Sequence, residues 1–186
     1  DSGYLSFDAT TSMVLQGRVN AVAPPGGRGS LVDISSPGNI LINGTGVGGA
    51  SGTLVLSAPQ LNSFGAESLL IGGKRTFGAG GITVAAATRE LTVDNAGSPL
   101  TGNDVILVSR ERLTLADGAT VLGTGSGPVD DLLLGDPAVA GSGDGTLLRA
   151  SGSAGGSIAR RGVSNSILPQ MTVGAGATIG GGSIVL

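Results

Sequence analysis

Aliphatic residues along this chain alternate with polar ones in short runs, and Gly, Pro, Ser, Asn and Asp separate the runs. A period of two residues is typical of β-strands, and the separating residues are those that form turns. The predicted strands are Tyr4–Phe7, Met13–Leu15, Leu31–Ile34, Ile40–Ile42, Leu54–Leu56, Leu69–Ile71, Ile82–Val84, Leu91–Val93, Val105–Val108, Leu113–Leu115, Leu132–Leu134, Thr146–Leu148, Met171–Val173 and Ser183–Leu186. No stretch of about ten residues shows a helical period, so the pattern predicts an all-β protein with no substantial helix.

Two segments of the chain repeat each other. LTLADGATVLG at Leu113–Gly123 recurs as MTVGAGATIGG at Met171–Gly181, with threonine, glycine and aliphatic positions matched. Each copy predicts a strand, a corner made by Gly118 or Gly176, and the start of a second strand, with the aliphatic positions pointing inward. The copies begin 58 residues apart (171 − 113), which we interpret as two windings of about 29 residues.

The spacing of the runs predicts a coil. Runs that begin at Leu31, Leu54, Ile82 and Val105 are separated by 23, 28 and 23 residues, and each interval holds two or three strands. This is the content of one winding of a parallel β-helix, and roughly seven or eight windings are expected. A sandwich of hairpins is the alternative, since Asn43-Gly44 is a hairpin-type turn.

The chain is predicted to be one domain, 1–186, whose coil is interrupted at two places. Ala21–Ser30 is a Pro-Gly loop that projects from the coil or an irregular first winding, and Gly152–Pro169 is a longer loop that carries Arg160 and Arg161. Loops of this kind are the preferred places for contacts with partners. Arg28, Arg160 and Arg161 are therefore the predicted surface contacts.

Composition favours a thin, regular core and excludes several classes of function. Glycine accounts for 36 of 186 residues, hydrophobic residues for 40% and aromatic residues for 2%, which suits repeated aliphatic layers. The net charge is −3 without a basic stripe, so nucleic acid is not an expected partner. Histidine and cysteine are absent, which removes the usual metal and haem ligands and any Ser-His-Asp triad. No cofactor, metal, transmembrane segment or catalytic residue is predicted.

The remaining motifs are interpreted as turns. GTGVGG at Gly44–Gly49 matches a phosphate-binding pattern, but a strand follows it where a helix is required. GSGDGTL at Gly141–Leu147 lacks the tandem copies of a calcium-binding repeat. Asp130 and Asp131 are the centre of the densest acidic group, for which capping of turns is favoured over glycosidase or lyase chemistry. Asp94-Asn95 is interpreted as a corner whose asparagine bonds along the stack.

A family resemblance adds to this interpretation. LNSFGAESLLIGGKRTFGAGGITVAAATRELTVDNAGSPLTGNDVILVSRERLTLADGATV (Leu61–Val121) and DLLLGDPAVAGSGDGTLLRASG (Asp131–Gly152) resemble the repetitive rod of filamentous haemagglutinin-like exoproteins. The resemblance implies a right-handed parallel β-helix and a very large secreted protein of a Gram-negative bacterium. It also implies export through an outer-membrane partner transporter by two-partner secretion. The family's Asn- and Pro-rich secretion motifs and its C-terminal toxin-like domains are absent here, so a mid-rod segment is expected. The resemblance supplies no site residues.

The functional expectation is a structural and adhesive rod segment, not an enzyme, that is secreted or attached to the cell surface. Its expected partners are host-cell or matrix glycans and proteins, or other surface filaments in a biofilm. The first alternative is a subunit of an extracellular filament that assembles end to end. A polysaccharide-acting β-helix enzyme that uses Asp130 and Asp131 is the second alternative.

Overall fold

The computed structural model describes residues 3–10, 12–13, 19–23, 25–166 and 168–186. The elements in chain order are β1 (Tyr4–Asp8), β2 (Leu31–Ser35), β3 (Asn39–Asn43), β4 (Thr53–Ser57), α1 (Ala58–Asn62), β5 (Ser68–Ile71), β6 (Gly73–Gly78), β7 (Gly81–Ala86), β8 (Glu90–Asp94), β9 (Leu100–Gly102), β10 (Asp104–Ser109), β11 (Arg112–Leu115), β12 (Thr120–Gly123), β13 (Leu132–Leu134), β14 (Thr146–Ser151), β15 (Ile158–Arg160), β16 (Gln170–Val173), β17 (Thr178–Gly180) and β18 (Ser183–Val185). Strands account for 45% of the chain, and no helix in the described part reaches seven residues. The all-β prediction is confirmed. The predicted run Met13–Leu15 extends outside the described residues.

The strands form four sheets. In spatial order, sheet 1 is β1-β2-β5-β10-β14-β18, sheet 2 is β16-β11-β8-β3-β4, sheet 3 is β17-β12-β9 and sheet 4 is β15-β13-β7-β6. All pairs in sheets 2 and 3 are parallel. Sheet 1 includes the antiparallel pairs β10–β14 and β14–β18, and sheet 4 includes the antiparallel hairpin β6–β7. The sheets are therefore mixed, and the described strands do not form one uniform parallel coil.

The chain passes through sheets 1, 2 and 3 in a repeated order. One layer consists of β5, β8 and β9, and the next layer consists of β10, β11 and β12. Each strand of the second layer pairs in parallel with the strand of the first layer that lies in the same sheet. The strands of sheet 4 are excursions from this path. The hairpin β6–β7 lies between β5 and β8, β13 follows β12, and β15 follows β14.

Two hydrophobic cores result, one on each face of sheet 1. Leu69, Val105 and Leu107 point into the core that sheets 1, 2 and 3 enclose. Leu70 and Ile106 belong to a second core between sheet 1 and sheet 4. All six residues of β10 are consequently buried. This explains its continuous aliphatic run, because a strand covered on both faces does not alternate with polar residues.

The repeated segments lie directly beside each other, which corrects the predicted winding length. Leu113 pairs with Met171 in sheet 2, and Thr120 pairs with Thr178 in sheet 3. The 58 residues therefore correspond to one step of the stack and not to two windings of about 29 residues. The excursion over residues 124–169, which contains β13, β14 and β15, accounts for the extra length.

The predicted number of windings is also wrong for the described chain. Val32 pairs with Leu69, 37 residues later, and Leu69 pairs with Val105, 36 residues later. Leu54 lies in sheet 2 and Ile82 in sheet 4, so they do not begin windings equivalent to those at Leu31 and Val105. The largest sheet among the described residues has six strands, fewer than the predicted seven or eight coils. A period of two identifies a strand but does not say which sheet receives it.

The two predicted loops differ in structure. In Ala21–Ser30, excluding Pro24, Ala21 is buried, donates its N–H to the Phe64 carbonyl at 2.9 Å and accepts from Ser30 N–H at 3.0 Å. This segment therefore packs against the body at Ala21 and does not simply project from it. Gly152–Pro169 contains β15, an edge strand of sheet 4, so the prediction of a loop throughout is wrong there. No helix among the described residues is long and apolar enough to span a membrane.

Candidate functional site

The two ends of the stack differ in how well their aliphatic side chains are covered. One inward row of sheet 2 crosses all five strands in register, from Leu56 through Ile42, Val93 and Leu115 to Val173. Leu56 on edge strand β4 is only 5% exposed, whereas Val173 on edge strand β16 is 48% exposed. The row is thus buried at one edge and open at the other.

The buried edge at β4 is covered by α1 and by the chain that follows it. Ser57 caps α1 by accepting the Gln60 N–H, and Pro59 in the first turn fits there because no intrahelical donor is needed. The short helix contacts β4 and β9, which are the corresponding edges of sheets 2 and 3. Leu61 and Phe64 are buried in the first core. The chain itself therefore covers the N-terminal edges of sheets 2 and 3, whereas β1 is an exposed edge of sheet 1.

Strands β16, β17 and β18 form the open end, which we call the C-terminal layer. Residues 170–186 carry no charged side chain, although edge strands are commonly protected by charges or proline. Ile184 is 44% exposed and Leu186 is 63% exposed. A groove of about 500 Å³ beside this layer is lined by Leu147, Val163, Leu168, Met171 and Leu186, among others. The groove is also lined by Asp144 and Arg160, and exposed apolar side chains beside polar ones are characteristic of an interaction site.

The corner glycines occupy equivalent places in the stack. Gly118 lies between β11 and β12 with φ +71°, and Gly176 lies between β16 and β17 with φ +68°. Both values are in the left-handed region, where glycine has no steric cost. The Gly118 N–H donates to the Ala175 carbonyl at 2.9 Å, which joins one corner to the next. The two corners therefore continue the register of the flanking strands.

The three predicted contact arginines make hydrogen bonds within the chain. Arg28 donates from Nε to Glu67 at 2.8 Å and from Nη2 to Asp130 at 2.8 Å, and these carboxylates, Asp130 first, raise its pKa. Arg160 donates to the Gly143 and Gly145 carbonyls. Arg161 donates to the Arg160 carbonyl at 3.1 Å. Arg28 therefore lies beside the Glu67 and Asp130 carboxylates, whereas Arg160 is held by backbone carbonyls.

The carboxylates of the acidic group also accept hydrogen bonds from within the chain. Asp131 accepts from the N–H and hydroxyl of Ser157 at 2.6 and 2.8 Å, and these bonds hold its pKa below the ordinary value. Asp144 accepts from the hydroxyl and N–H of Ser164, and the pKa of Asp144 is likewise lowered, with the hydroxyl bond as the largest cause. A general acid needs a raised pKa, so these shifts run against Asp131 or Asp144 as the general acid of a glycosidase. Asp136 caps a turn as predicted, since it accepts the Ala138 N–H two residues later, whereas Asp131 and Asp144 connect segments 26 and 20 residues apart.

Sequence reasoning missed a buried network of charges between sheets 1 and 4. Asp104 accepts from Arg149 Nε at 2.8 Å and Nη2 at 3.0 Å, and from the hydroxyls of Ser68 and Ser151. The side chains of Arg149 and Asp104 are 2% and 1% exposed. The signal in the sequence is a charged residue inside or beside an aliphatic run, as in NDVILV and LLRAS.

A second buried pair continues this network towards the N-terminal edge of sheet 1. Arg75 on β6 pairs with Asp33 on β2, and Arg75 Nη2 also donates to the Ser68 hydroxyl at 2.6 Å. The Tyr4 hydroxyl donates to Asp33 at 2.8 Å. Burial and this bond raise the pKa of Tyr4. Buried charges are stable only when paired and hydrogen-bonded, so the network fixes sheet 4 against sheet 1.

Asn95 links successive layers at a corner. Its side chain donates to the Thr120 carbonyl at 2.9 Å and accepts from the Thr120 N–H at 2.8 Å. The residue is 1% exposed, and these bonds satisfy the buried amide in the direction of the stack, as the sequence predicts. Among the described residues, no group of three or more acidic side chains could hold a metal ion.

Comparisons with known proteins found no match to this chain among family models, curated proteins or solved structures.

Proposed function

We propose that this chain is a structural and adhesive rod segment of a secreted or cell-surface bacterial exoprotein. Its architecture would be a right-handed parallel β-helix modified by the excursions that form sheet 4. The observation that carries the proposal is the stacking of the repeat, in which β16 and β17 lie in register on β11 and β12. The segment would then act as a spacer that presents binding surfaces, and it would catalyse no reaction.

The register supports extension at the C-terminal layer. Met171–Gly181 pairs with Leu113–Gly123 so that aliphatic residues lie beside aliphatic residues and threonines beside threonines. The outer edge of the second layer offers nearly the same residues again, with Val173 half exposed. A further winding of the same type would bury this row and pair the free backbone groups of β16 and β17.

The covered N-terminal edges of sheets 2 and 3 weigh against the alternative filament. End-to-end assembly of identical copies needs two complementary open ends, because the contact is heterologous. In the described residues α1 and Phe64 cover the N-terminal edges of sheets 2 and 3, so in these two sheets only the edge at the C-terminal layer is open to stacking, while β1 remains an exposed edge of sheet 1.

The adhesive and export aspects depend on the resemblance to filamentous haemagglutinin-like exoproteins. Under that proposal the chain reaches the surface of a Gram-negative bacterium through an outer-membrane partner transporter. Host or matrix glycans and proteins, or other filaments in a biofilm, would bind its exposed loops. The internal hydrogen bonds of Asp130 and Asp131 support a binding role over polysaccharide cleavage.

Adding a winding to the C-terminal layer is expected to stabilise the protein. A second copy of residues 170–186 would follow Leu186 and four added polar residues, because Val185 and Ile106 both pair with Arg149 and five residues separate Ile106 from β11. The added strands would cover Val173 and Ile179, so the melting temperature should rise by about 4 °C or more, equivalent to roughly 1–2 kcal/mol. Thermal unfolding followed by circular dichroism measures the shift.

The matched control for this extension is the same 17 copied residues in scrambled order. It has the same composition but breaks the alternation that places aliphatic side chains inward. An unchanged melting temperature, with the ordered extension as sensitive to proteases as the scrambled one, would contradict stacking at the C-terminal layer.

Beads coated with the chain should adhere to biological surfaces. We expect saturable retention on immobilised matrix proteins, or on cultured epithelial cells, that is blocked by the soluble chain. Beads carrying the heat-unfolded chain provide the control for nonspecific apolar contact. Equal retention of both kinds of bead on every surface would contradict the adhesive role.

A further inference from the structure

Two of the chain's four aromatic side chains meet on its surface. The chain has one tyrosine and three phenylalanines. The rings of Tyr4 and Phe77 lie edge to face, with centroids 5.1 Å apart and planes at 76°. Tyr4 is 43% exposed and Phe77 is 49% exposed, whereas Phe64 is buried. Exposed aromatic side chains held in fixed positions are frequent anchors of binding sites.

The aromatic pair has a rigid foundation. The Tyr4 hydroxyl donates to Asp33, which also pairs with Arg75 beneath it. The side chains of Arg75 and Asp33 are 1% and 0% exposed. The polar tip of Tyr4 is therefore satisfied internally, and the ring is what the side chain presents to solvent. Little rotamer freedom remains to be lost when a ligand binds.

An exposed ion pair lies at the other end of β1, the strand that carries Tyr4. Lys74 on β6 pairs with Asp8 on β1, and these side chains are 46% and 51% exposed. Tyr4 and Asp8 are four residues apart, or about 13 Å along an extended strand. We call this surface, formed by Tyr4, Asp8, Lys74 and Phe77, the β1–β6 site.

The charges of the β1–β6 site select the class of ligand. Lys74 is balanced by Asp8 and Arg75 by Asp33, so the site and its foundation are neutral together. Nucleic acids and sulfated glycans need an excess of cations, and a quaternary ammonium group would meet Lys74. Pyranose rings have apolar C–H faces that stack on aromatic rings, and hydroxyls that both donate to carboxylates and accept from ammonium groups.

We propose that the β1–β6 site binds a short uncharged oligosaccharide of a surface glycan. One sugar ring stacks on Phe77 beside Tyr4, and hydroxyls of a neighbouring sugar contact Lys74 and Asp8. The length of the site fits a chain of two or three sugars rather than a single ring. This inference rests on the proposed adhesive function and names the ligand class and the residues.

The test measures binding of lactose, chitotriose and a heparin hexasaccharide to the whole chain by titration NMR. The wild type should bind at least one of the two uncharged probes and bind heparin no better. Phe77→Ala should weaken that binding on the order of tenfold. Lys74→Met should weaken it less and leave the ring contact in place.

Val47→Ala is the matched control, because it also truncates an exposed apolar side chain, 70% exposed, outside both the β1–β6 site and the groove at the C-terminal layer. It should leave the dissociation constant unchanged, and the spectra of each variant report whether the fold is intact. Absence of binding to both uncharged probes, preference for heparin, or equal affinity in Phe77→Ala would overturn the inference. Those results would leave the bead assay unaffected, since adhesion to matrix proteins does not require this site.

Discussion

Replacing Arg149 with methionine is expected to lower the free energy of unfolding by about 3–5 kcal/mol. Methionine retains much of the length of the side chain but leaves the Asp104 carboxylate buried without its cation. The lost contacts are Arg149 Nε to Asp104 Oδ1 at 2.8 Å and Nη2 to Oδ2 at 3.0 Å, together with the bonds from the guanidinium to the Gly156 and Asp130 carbonyls. Because the chain has no tryptophan, urea unfolding followed by far-ultraviolet circular dichroism is the suitable measurement.

The matched control is Arg112→Met. Arg112 also lies in a strand and pairs with Glu90 at 3.3 Å, but its side chain is 50% exposed. Exposed pairs contribute little, so this change should cost less than about 1 kcal/mol. The double variant Asp104→Leu with Arg149→Met should recover at least half of the loss, because it removes the uncompensated charge. Equal effects at Arg149 and Arg112 would refute a structural role for the buried pair.

Gly72→Ala is expected to prevent cooperative folding or to destabilise the protein by more than about 3 kcal/mol. Gly72 joins β5 to β6, where the chain leaves sheet 1 for sheet 4, and its φ is +91°. A Cβ at this position would lie 2.0 Å from the Val108 carbonyl oxygen. The backbone cannot move away easily, because the Gly72 N–H donates to the Ile34 carbonyl at 2.8 Å.

Gly176→Ala separates the effect of backbone strain from that of the clash. Its φ of +68° is also in the left-handed region, but no heavy atom lies within 4 Å of the added Cβ. This variant should lose only about 1–2 kcal/mol. Urea midpoints measure both variants, and proteolysis of the soluble fraction tests whether Gly72→Ala folds at all. A loss at Gly72 no larger than that at Gly176 would show that the crossing to sheet 4 tolerates a side chain.

The fold could be predicted from sequence where local pattern decides it. Strands such as Ile40–Ile42 and Leu113–Leu115 were recognisable because alternation and turn residues are properties of neighbouring positions. The β6 segment GKRTFG was not recognisable, since Lys74 and Arg75 interrupt any aliphatic pattern. Arg75 is buried only because Asp33, 42 residues away in the sequence, lies opposite it.

The interaction surfaces were predictable only in part. Arg28, Arg160 and Arg161 were identifiable as cations in glycine-rich segments, but their hydrogen-bond partners depend on distant elements. Arg28, for example, reaches Asp130 at a separation of 102 residues. The β1–β6 site had no signature in the sequence, because Tyr4 and Phe77 meet only when sheet 4 packs on sheet 1. The openness of the C-terminal layer also depends on which strands form the edges.

By itself, the sequence determined the all-β character, most of the strands and the corners at Gly118 and Gly176. It also established that the Leu113–Gly123 and Met171–Gly181 segments are equivalent. These features follow from side-chain alternation and from the backbone freedom of glycine, which act over a few residues. Only the tertiary structure decided that the two segments are adjacent layers, that sheet 4 packs on sheet 1, and that α1 covers one edge of sheets 2 and 3. Those outcomes depend on pairings between residues tens of positions apart, and a local period of two carries no information about such partners.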